Sequence, residues 1–386
     1  MDKKKLLLIA PSLKQGGFQR VCARTAQLLN EYFDIYVLIF DGSEIAYSLE
    51  NIPVIDIGVK AQNGAVNKIF NVFKRIRKVK AIKRTEKIDI SYSFGMSANL
   101  INVLTRAGDQ IWCGMRSYID LETTTLGMVC RKSDRIIICS KVLEEHVKER
   151  YPKTNTVTIY NPFNVESLLK EAEEEIDKKD DVFFKKEGTI IAAMGREDIL
   201  KGYWHLIKAF SKVGIPESRL CIIGNGDFHN EKQLVKDLGL EERVYFTGGK
   251  INPFSYLKYA DVYVMSSIHE GFPNALVEAM AIGIPVISTN CETGPVEILA
   301  EDFTKIEENK DIQYAEYGVL VPRLTESPNY DAKVLDKEEL ILAEAITKLV
   351  QDEALRKQYM DQQKKRVQEF SIQKYVAAFI NLAGEH

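Results

Sequence analysis

The chain has 386 residues, of which 45% are hydrophobic and 28% charged, the composition of an ordinary globular protein. This length exceeds what one hydrophobic core usually serves and predicts two domains, while no stretch approaches the roughly 20 apolar residues that span a bilayer. Residues 1–163 are net basic and residues 164–386 are net acidic, which argues against one continuous surface for nucleic acid.

Cysteine usage and the N-terminus indicate the compartment. The six cysteines form no C-x-x-C pair and no spacing typical of a metal site, which indicates reduced, buried thiols. The first apolar run, Leu6–Ala10, meets Pro11 before a signal-peptide core is complete. We therefore expect a cytoplasmic protein.

The first part of the chain alternates strand-like and helix-like segments, which predicts a mostly parallel sheet. The predicted strands are residues 5–10, 35–40, 54–57, 88–92, 110–115, 135–139 and 157–160. Gly16 and Gly17 fall where the first strand passes to the first helix, a place where missing side chains let a phosphate approach backbone amides. Any tight turn can use glycine for its geometry, so the pair alone does not establish a phosphate site.

Residues 67–87 predict a helix in which nine basic residues accompany one acidic residue, Glu86. Its apolar stripe comprises Ile69, Val72, Phe73, Ile76 and Val79. The pattern fits an ordinary helix docked on its sheet, and it also fits a helix that touches an anionic membrane. We expect the stripe to pack on the sheet while the basic flanks reach lipid headgroups.

A second alternating series follows a polar, acid-rich segment that runs from residue 164 to Lys186. We therefore place one Rossmann-like domain at residues 1–163 and a second at residues 164–370. The predicted strands of the second domain are residues 189–195, 220–224, 244–248, 262–265, 284–288 and 318–321.

The stretch 266–288 predicts a turn, a helix and the start of a strand. Pro273 suits the first helical turn, because its missing N–H would have no intrahelical partner there, and Gly283 suits the helix end. Two glutamates, Glu270 and Glu278, lie in this stretch. Taken singly, each would be interpreted as a solvated surface carboxylate.

As one string, Glu-Gly-Phe-Pro-Asn-Ala-Leu-Val-Glu-Ala-Met-Ala-x-Gly-x-Pro-Val-Ile closely resembles the signature of retaining GT-B glycosyltransferases of the family-4 type, the glycosyl transferases group 1. The resemblance implies an α/β fold with two Rossmann-like domains facing across a cleft, and a C-terminal helix, residues 371–386, packing back on the first domain. It also implies that Glu278 holds the nucleotide ribose and that Glu270 lies beside the donor sugar. The backbone that meets sugar hydroxyls and phosphates would be that of Gly271, Phe272, Pro273, Asn274 and Ala275.

Residues 195–202 resemble the same family's arginine-plus-lysine phosphate site, here Arg196 and Lys201. Two such cations can neutralise a diphosphate without a metal and can stabilise the charge that develops on a leaving phosphate. By the same resemblance, further donor contacts fall on Gly16, Gly17, Asn225 and Lys250.

Several patterns are missing or depart from the family. No Asp-x-Asp pair occurs, so we expect neither a metal nor another cofactor, and Gly224-x-Gly226 lacks the third glycine of a dinucleotide site. No histidine precedes residue 146, although several family members place one beside the reacting sugar. Arg116 stands nearest that region and is assigned to the acceptor side, while His269 is expected to be structural. How the acceptor proton leaves stays open, and transfer to the departing phosphate is one route.

The resemblance implies a metal-independent enzyme that moves a sugar, expected from a UDP-sugar, to a glycan or lipid-linked glycan in surface polysaccharide biosynthesis. The expected partners are this donor, this acceptor and, through residues 67–87, an anionic inner membrane surface. Nucleic acid is not expected, because the chain lacks an aromatic stacking platform. Two alternatives are a synthase or phosphorylase for soluble oligosaccharide and a catalytically silent sugar-nucleotide-binding protein. The presence together of Arg196, Lys201, Glu270 and Glu278 disfavours the silent protein.

Overall fold

The computed structural model describes residues 3–62, 64–307 and 311–384. The chain divides into two compact units, residues 1–162 with 372–386 and residues 163–371. The predicted first domain extended to residue 163. Phe163 instead joins the second unit, because it forms a bridge with Ser371.

The helices and strands alternate along most of the chain. Those of the first unit are β1 (Lys5–Leu13), α1 (Gly17–Leu29), β2 (Asp34–Ile45), β3 (Val54–Asp56), α2 (Ala65–Glu86), β4 (Ile90–Phe94), α3 (Met96–Val103), β5 (Gln110–Met115), α4 (Leu126–Lys132), β6 (Arg135–Ile138), α5 (Lys141–Arg150) and β7 (Thr156–Thr158). Those of the second unit are α6 (Val165–Ala172), α7 (Asp181–Phe184), β8 (Ile190–Met194), α8 (Tyr203–Phe210), β9 (Arg219–Ile223), α9 (His229–Asp237), β10 (Val244–Phe246), α10 (Phe254–Leu257), β11 (Val262–Met265), α11 (Asn274–Ile282), β12 (Val286–Thr289), α12 (Pro295–Leu299), β13 (Gln313–Ala315), β14 (Gly318–Val321), α13 (Lys337–Gln351) and α14 (Glu353–Arg366). The final helix, α15 (Ile372–Gly384), belongs to the first unit.

Each unit contains one seven-stranded sheet with helices on its faces. The first has the strand order β3-β2-β1-β4-β5-β6-β7, and every neighbouring pair is parallel. The second has the order β10-β9-β8-β11-β12-β14-β13 and is parallel except for its edge pair, β13 with β14. In each sheet the order reverses beside the first strand, which creates a crevice at the carboxyl ends where ligands usually bind. The predicted α/β class with two Rossmann-like domains is confirmed.

The core of the first unit is completed by α15. Phe379 is fully buried, and its ring centroid lies 5.6 Å from that of Tyr92 and 6.2 Å from that of Trp112. Tyr92 and Trp112 stand on β4 and β5, in the middle of the sheet. The helix therefore belongs to the same hydrophobic core as strands that precede it by more than two hundred residues.

The predicted packing of α2 is wrong for Ile69 and Phe73, whereas Val72, Ile76 and Val79 belong to or pack against a hydrophobic cluster of the first unit, as predicted. Ile69, Phe70 and Phe73 are 60%, 58% and 66% exposed, whereas Val79 is fully buried. Among the residues that the structure describes, no helix combines the length and the apolar character needed to cross a membrane.

Polar side chains on this part of α2 bond the segment that follows β3. The amide nitrogen of Asn71 donates to the carbonyl of Lys60 at 2.9 Å. Arg75 donates from two nitrogens to the carbonyl of Val59, and Lys78 donates to the carbonyl of Ile57 at 2.6 Å. The segment after β3 thus presents carbonyl groups that need donors. Polar side chains of α2 supply these donors, while Val72 and Ile76 pack against the same hydrophobic cluster as Ile57 and Val59.

A buried ion pair joins α2 to the sheet. The Lys83 ammonium lies 2.8 Å from the Asp109 carboxylate, and neither side chain is more than 1% exposed. Ser91 donates to the same carboxylate, and Asn102 accepts from Lys83 at 2.6 Å. Burial lowers the pKa of Lys83, and the adjacent Asp109 acts in the opposite direction to keep the ammonium charged.

We expect Asp109→Asn to lower the free energy of unfolding of the first unit by about 3–5 kcal/mol, because it leaves a buried ammonium without its counter-ion. Hydrogen exchange of the β4 and β5 amides measures this loss. The control is Glu149→Gln, which removes an exposed partner of His146 in the same unit and should cost less than about 1 kcal/mol. Equal losses in the two variants would contradict the assigned role of the buried pair.

Candidate active site

The switch point of the second sheet brings two loops together. Residues 195–202 follow β8 and residues 266–273 follow β11, and these strands are parallel neighbours. Both loops therefore leave the same edge of the sheet. Lys201 Nζ consequently lies 2.6 Å from Glu270 Oε1, although the two residues are 69 positions apart.

Hydroxyl groups of neighbouring residues donate hydrogen bonds to Glu270. Ser267 Oγ donates to the same carboxylate oxygen at 2.7 Å, and Thr293 Oγ1 donates to the Glu270 carbonyl at 2.6 Å. Thr289 Oγ1 donates to the Ser267 carbonyl at 2.5 Å. Sequence reasoning missed these three hydroxyls, because no spacing marks them and their only signal is a position at or just after a strand end.

Glycines allow the loops to approach one another by their backbones. A Cβ on Gly202, whose φ is +59°, would lie 2.3 Å from the carbonyl oxygen of Ser266. A Cβ on Gly224 would lie 1.8 Å from the carbonyl oxygen of Gly195. Burial and the nearby Glu270 carboxylate raise the pKa of Tyr203, so its phenol stays protonated and donates to the Gly195 carbonyl at 2.9 Å. A side chain at Gly202 or Gly224 would therefore displace the loops.

Arg196 stands at the outer end of the first loop. Its side chain is 69% exposed, and one terminal nitrogen lies 2.7 Å from Asp198 Oδ2. The other oxygen of Asp198 accepts from the backbone amide of Leu200 at 3.1 Å and caps the short turn that carries Lys201. Both predicted phosphate-binding cations are thus paired with carboxylates that the protein itself supplies.

Asn225 lies in the turn after β9, beside the first loop. Its carbonyl accepts from the Glu197 amide at 2.7 Å, and Glu197 Oε2 accepts from the amides of Asp227 and Phe228 at 2.7 and 2.9 Å. A Cβ on Gly249 would lie 3.3 Å from Asn225 Cβ. Glu197, which sequence reasoning did not single out, therefore fixes the turn that carries Asn225.

Lys250, like Lys201 and Arg196, is paired with carboxylates of the protein. Its ammonium lies 2.6 Å from Asp177 Oδ2 and 2.6 Å from Asp180 Oδ2, and 4.5 Å from the centre of the Tyr256 ring. Although burial opposes the charge, the two carboxylates raise the pKa of Lys250. Lys250 therefore anchors the acid-rich segment before β8, and its charge is already neutralised.

Helix α11 begins at Asn274, so Pro273 is its N-cap and not its first helical residue. Gly271 and Phe272 are buried, with Phe272 between the rings of residues 163 and 370 at 6.4 and 5.3 Å, while Asn274 and Ala275 are half-buried.

Glu278 lies on the inner face of the same helix and is only 5% exposed. That burial disagrees with the alternative of a solvated surface carboxylate. The start of α11 carries the partial positive charge of a helix N-terminus, which favours an anion.

The remaining predicted residues belong to the first unit. Gly16 is the N-cap of α1, with an extended backbone, and its amide and carbonyl both bond the Tyr47 hydroxyl at 3.0 Å. Nothing lies within 4 Å of the position of a Cβ on Gly17. Arg116 is half-buried, and it donates to Asn161 Oδ1 at 2.9 Å and to the Tyr92 hydroxyl.

Comparison with known proteins identifies the relatives of this chain. Residues 174–319 match the family of glycosyl transferases group 1. An uncharacterized glycosyltransferase of Methanocaldococcus jannaschii is 34% identical over 242 residues, which are 61% of this chain and 59% of that protein. The N-acetylgalactosamine-N,N'-diacetylbacillosaminyl-diphospho-undecaprenol 4-alpha-N-acetylgalactosaminyltransferase of Campylobacter jejuni is 23% identical, over 95% of this chain and 96% of that enzyme.

A solved structure has the same fold. The crystal structure of HepE from Anabaena in complex with UDP superposes with a TM-score of 0.74 and 18% identity, over 98% of this chain and 99% of that chain. Together, the family match and this superposition confirm the resemblance of residues 270–287 to the glycosyl transferases group 1 and the GT-B class of the fold.

We expect Gly202→Ala to lower the free energy of unfolding of the second unit by about 1–3 kcal/mol, because a non-glycine residue is strained at this positive φ and its Cβ would meet the Ser266 carbonyl. Urea unfolding measures the change. Gly214→Ala is the control, since nothing lies within 4 Å of its Cβ position. If both variants unfold at the same urea concentration, the close approach of the two loops is wrong.

Proposed function

We propose that this chain, which carries the group 1 glycosyltransferase domain in its second unit, moves a sugar from a nucleotide-diphosphate donor to an acceptor hydroxyl with retention of configuration. The observation that carries the proposal is the Lys201–Glu270 pair at the switch point of the second sheet. A UDP-sugar is the proposed donor, because HepE, which shares the fold, binds UDP.

The proposed acceptor is a glycan, most simply one that is linked to a lipid diphosphate. The Campylobacter relative, which aligns over nearly its whole length, is named for a diphospho-undecaprenol acceptor. We accordingly propose that this protein acts on the inner face of the cell membrane in the synthesis of a surface polysaccharide.

The chemistry depends on stabilising the leaving group. As the bond between the sugar and the diphosphate breaks, negative charge builds on the departing phosphate. Lys201 and Arg196, which lie in the loop after β8, are proposed to receive this charge, and the amides at the start of α11 add a partial positive charge. These groups supply the neutralisation that a metal gives in other enzymes, so we propose turnover without one.

The two glutamates have separate proposed tasks. Glu270 accepts a hydrogen bond from the donor sugar, and Glu278, which lies inward on α11, accepts from the ribose hydroxyls. Hydrogen bonds from neutral hydroxyls to an ionised carboxylate are roughly twice as strong as neutral ones, and glutamate therefore suits both tasks. A silent sugar-nucleotide-binding protein would need the second contact but not the paired cations at the leaving group.

We expect Lys201→Ala and Arg196→Ala to lower kcat far more than they raise KM, by about 2.7–4 kcal/mol of barrier each, because their attraction grows as the leaving phosphate gains charge. Release of UDP from a panel of UDP-sugars measures kcat. The control is Lys185→Ala, which removes an exposed cation of the same unit that pairs with Asp181. Wild-type turnover should persist after exhaustive EDTA treatment. The proposed reaction would be overturned by either of two results of the UDP-release assay. One is an unchanged kcat in both Lys201→Ala and Arg196→Ala, and the other is no release of nucleotide from any donor by the wild type.

The outer face of α2 is proposed to rest on the membrane that holds the acceptor. Phe70 and Phe73 are exposed, and Lys74 and Arg77, also exposed, lie on the same side of the helix. The Lys74 ammonium lies 4.4 Å from the centre of the Phe70 ring. Exposed aromatic rings among cations are typical of helices that bind at a membrane surface, where each cation contributes about 1 kcal/mol near an anionic leaflet.

We expect the protein to co-sediment with anionic vesicles, and the binding to fall as salt rises, because salt screens the attraction between cations and lipid phosphates. Two double variants, Phe70→Ser with Phe73→Ser and Lys74→Gln with Arg77→Gln, should each weaken binding at least about tenfold. The control is Val182→Ser, which removes an apolar residue that is 83% exposed in the second unit. If the protein ignores anionic vesicles at low salt, the membrane contact is wrong and a soluble acceptor is favoured.

A further inference from the structure

The ion pair between Lys201 and Glu270 joins two groups that have different proposed partners in the donor. Lys201 is proposed to bind the diphosphate and Glu270 the sugar. Lys201 donates one hydrogen bond to Glu270, and the other two ammonium hydrogens have no partner among the residues that the structure describes. The Lys201 side chain is 27% exposed and that of Glu270 is 13% exposed, so a ligand at the sheet edge can reach the lysine. An arriving diphosphate therefore competes with Glu270 for the same cation.

The two members of the pair are held with unequal firmness. Glu270 is bonded at its carboxylate by Ser267 and at its backbone by Thr293. The Lys201 ammonium ends a flexible four-carbon stem, and Glu270 is its only acceptor within the described ranges. We therefore expect Lys201 to move and Glu270 to keep its place when the pair opens.

We propose that Glu270 is a specificity-determining residue that favours the intact donor over free nucleoside diphosphate, because it gives up Lys201 to the diphosphate and takes a sugar hydroxyl in exchange. This inference rests on the proposed function. When UDP binds, Lys201 turns to the phosphates and the half-buried carboxylate of Glu270 loses a strong partner, which opposes binding. When a UDP-sugar binds, a hydroxyl of the sugar replaces the lost hydrogen bond.

The exchange also acts on the product. After transfer, the sugar leaves Glu270 with the acceptor, and the carboxylate again competes with the bound nucleotide for Lys201. Re-formation of the 2.6 Å pair therefore assists release of the nucleoside diphosphate. A carboxylate that only held the sugar would not affect the nucleotide in this way.

Calorimetry with UDP and with inorganic pyrophosphate tests the exchange. Pyrophosphate probes the diphosphate site whichever base the donor carries. We expect Glu270→Gln, which keeps the shape and removes the charge, to bind both probes about tenfold more tightly than the wild type, or about 1.4 kcal/mol. Lys201→Gln should bind both more weakly. Adding Glu270→Gln to Lys201→Gln should bring no gain in affinity, because the cation that Glu270 masks in the wild type is already absent.

A nearby carboxylate provides the matched control. Glu292 bonds His269 and Arg323 and does not contact Lys201, so Glu292→Gln should change the affinity for both probes less than about twofold. The exchange would be overturned if the gain in affinity for UDP and pyrophosphate persists without Lys201, or if Glu292→Gln gives an equal gain. Either result would indicate that removing any nearby negative charge favours the probes. Unchanged or weaker probe binding in Glu270→Gln, or in Glu270→Ala if the first variant fails to fold, would also overturn the exchange. Release of nucleotide from the donor panel by the wild type would in that case still support the proposed function.

Discussion

The parallel pairing of β8 with β11 is the constraint on which the candidate site depends. Neighbouring parallel strands release their chains at the same edge of the sheet, so two loops distant in sequence must share one small space. In this space the backbones of Gly202 and Ser266 approach so closely that a Cβ on Gly202 would lie 2.3 Å from the Ser266 carbonyl oxygen. The 2.6 Å contact between Lys201 and Glu270 follows from that crowding, since each residue is delivered by one of the two loops.

Much of the fold could be predicted, because parallel strands buried on both faces are continuous apolar runs. β1 is an example, with residues 6–10 fully buried as the pattern indicates. The ends of the strands were harder to predict. β2 continues through polar residues to Ile45, five residues beyond its predicted end, because Ile45 pairs with Leu13 across an irregular register. Such an extension depends on a partner strand and leaves no trace in local composition.

The candidate site also has parts that could be predicted from the sequence and parts that could not. The long string from Glu270 to Ile287 carries its own signature, whereas Lys250 was assigned by analogy of position and lies against two carboxylates from a segment about seventy residues earlier. The stripe on α2 shows a related limit. Apolar spacing correctly predicted the packing of Val72 and Ile76 but not the exposure of Ile69 and Phe73, and it does not show that polar side chains of the same helix bond the carbonyl groups of segment 57–60.

The placement of α15 has a consequence for synthesis on the ribosome. Residues 1–162 emerge first, but their core lacks Phe379, and Thr25 lacks the 2.6 Å hydrogen bond with the Tyr375 hydroxyl, until residues 372–384 have also emerged. The second unit is continuous in sequence, so its own core needs no residue beyond 371. Until α15 docks, the rings of Tyr92 and Trp112 lack their apolar neighbour Phe379, so the first unit can complete its core only after residues 372–384 have been made.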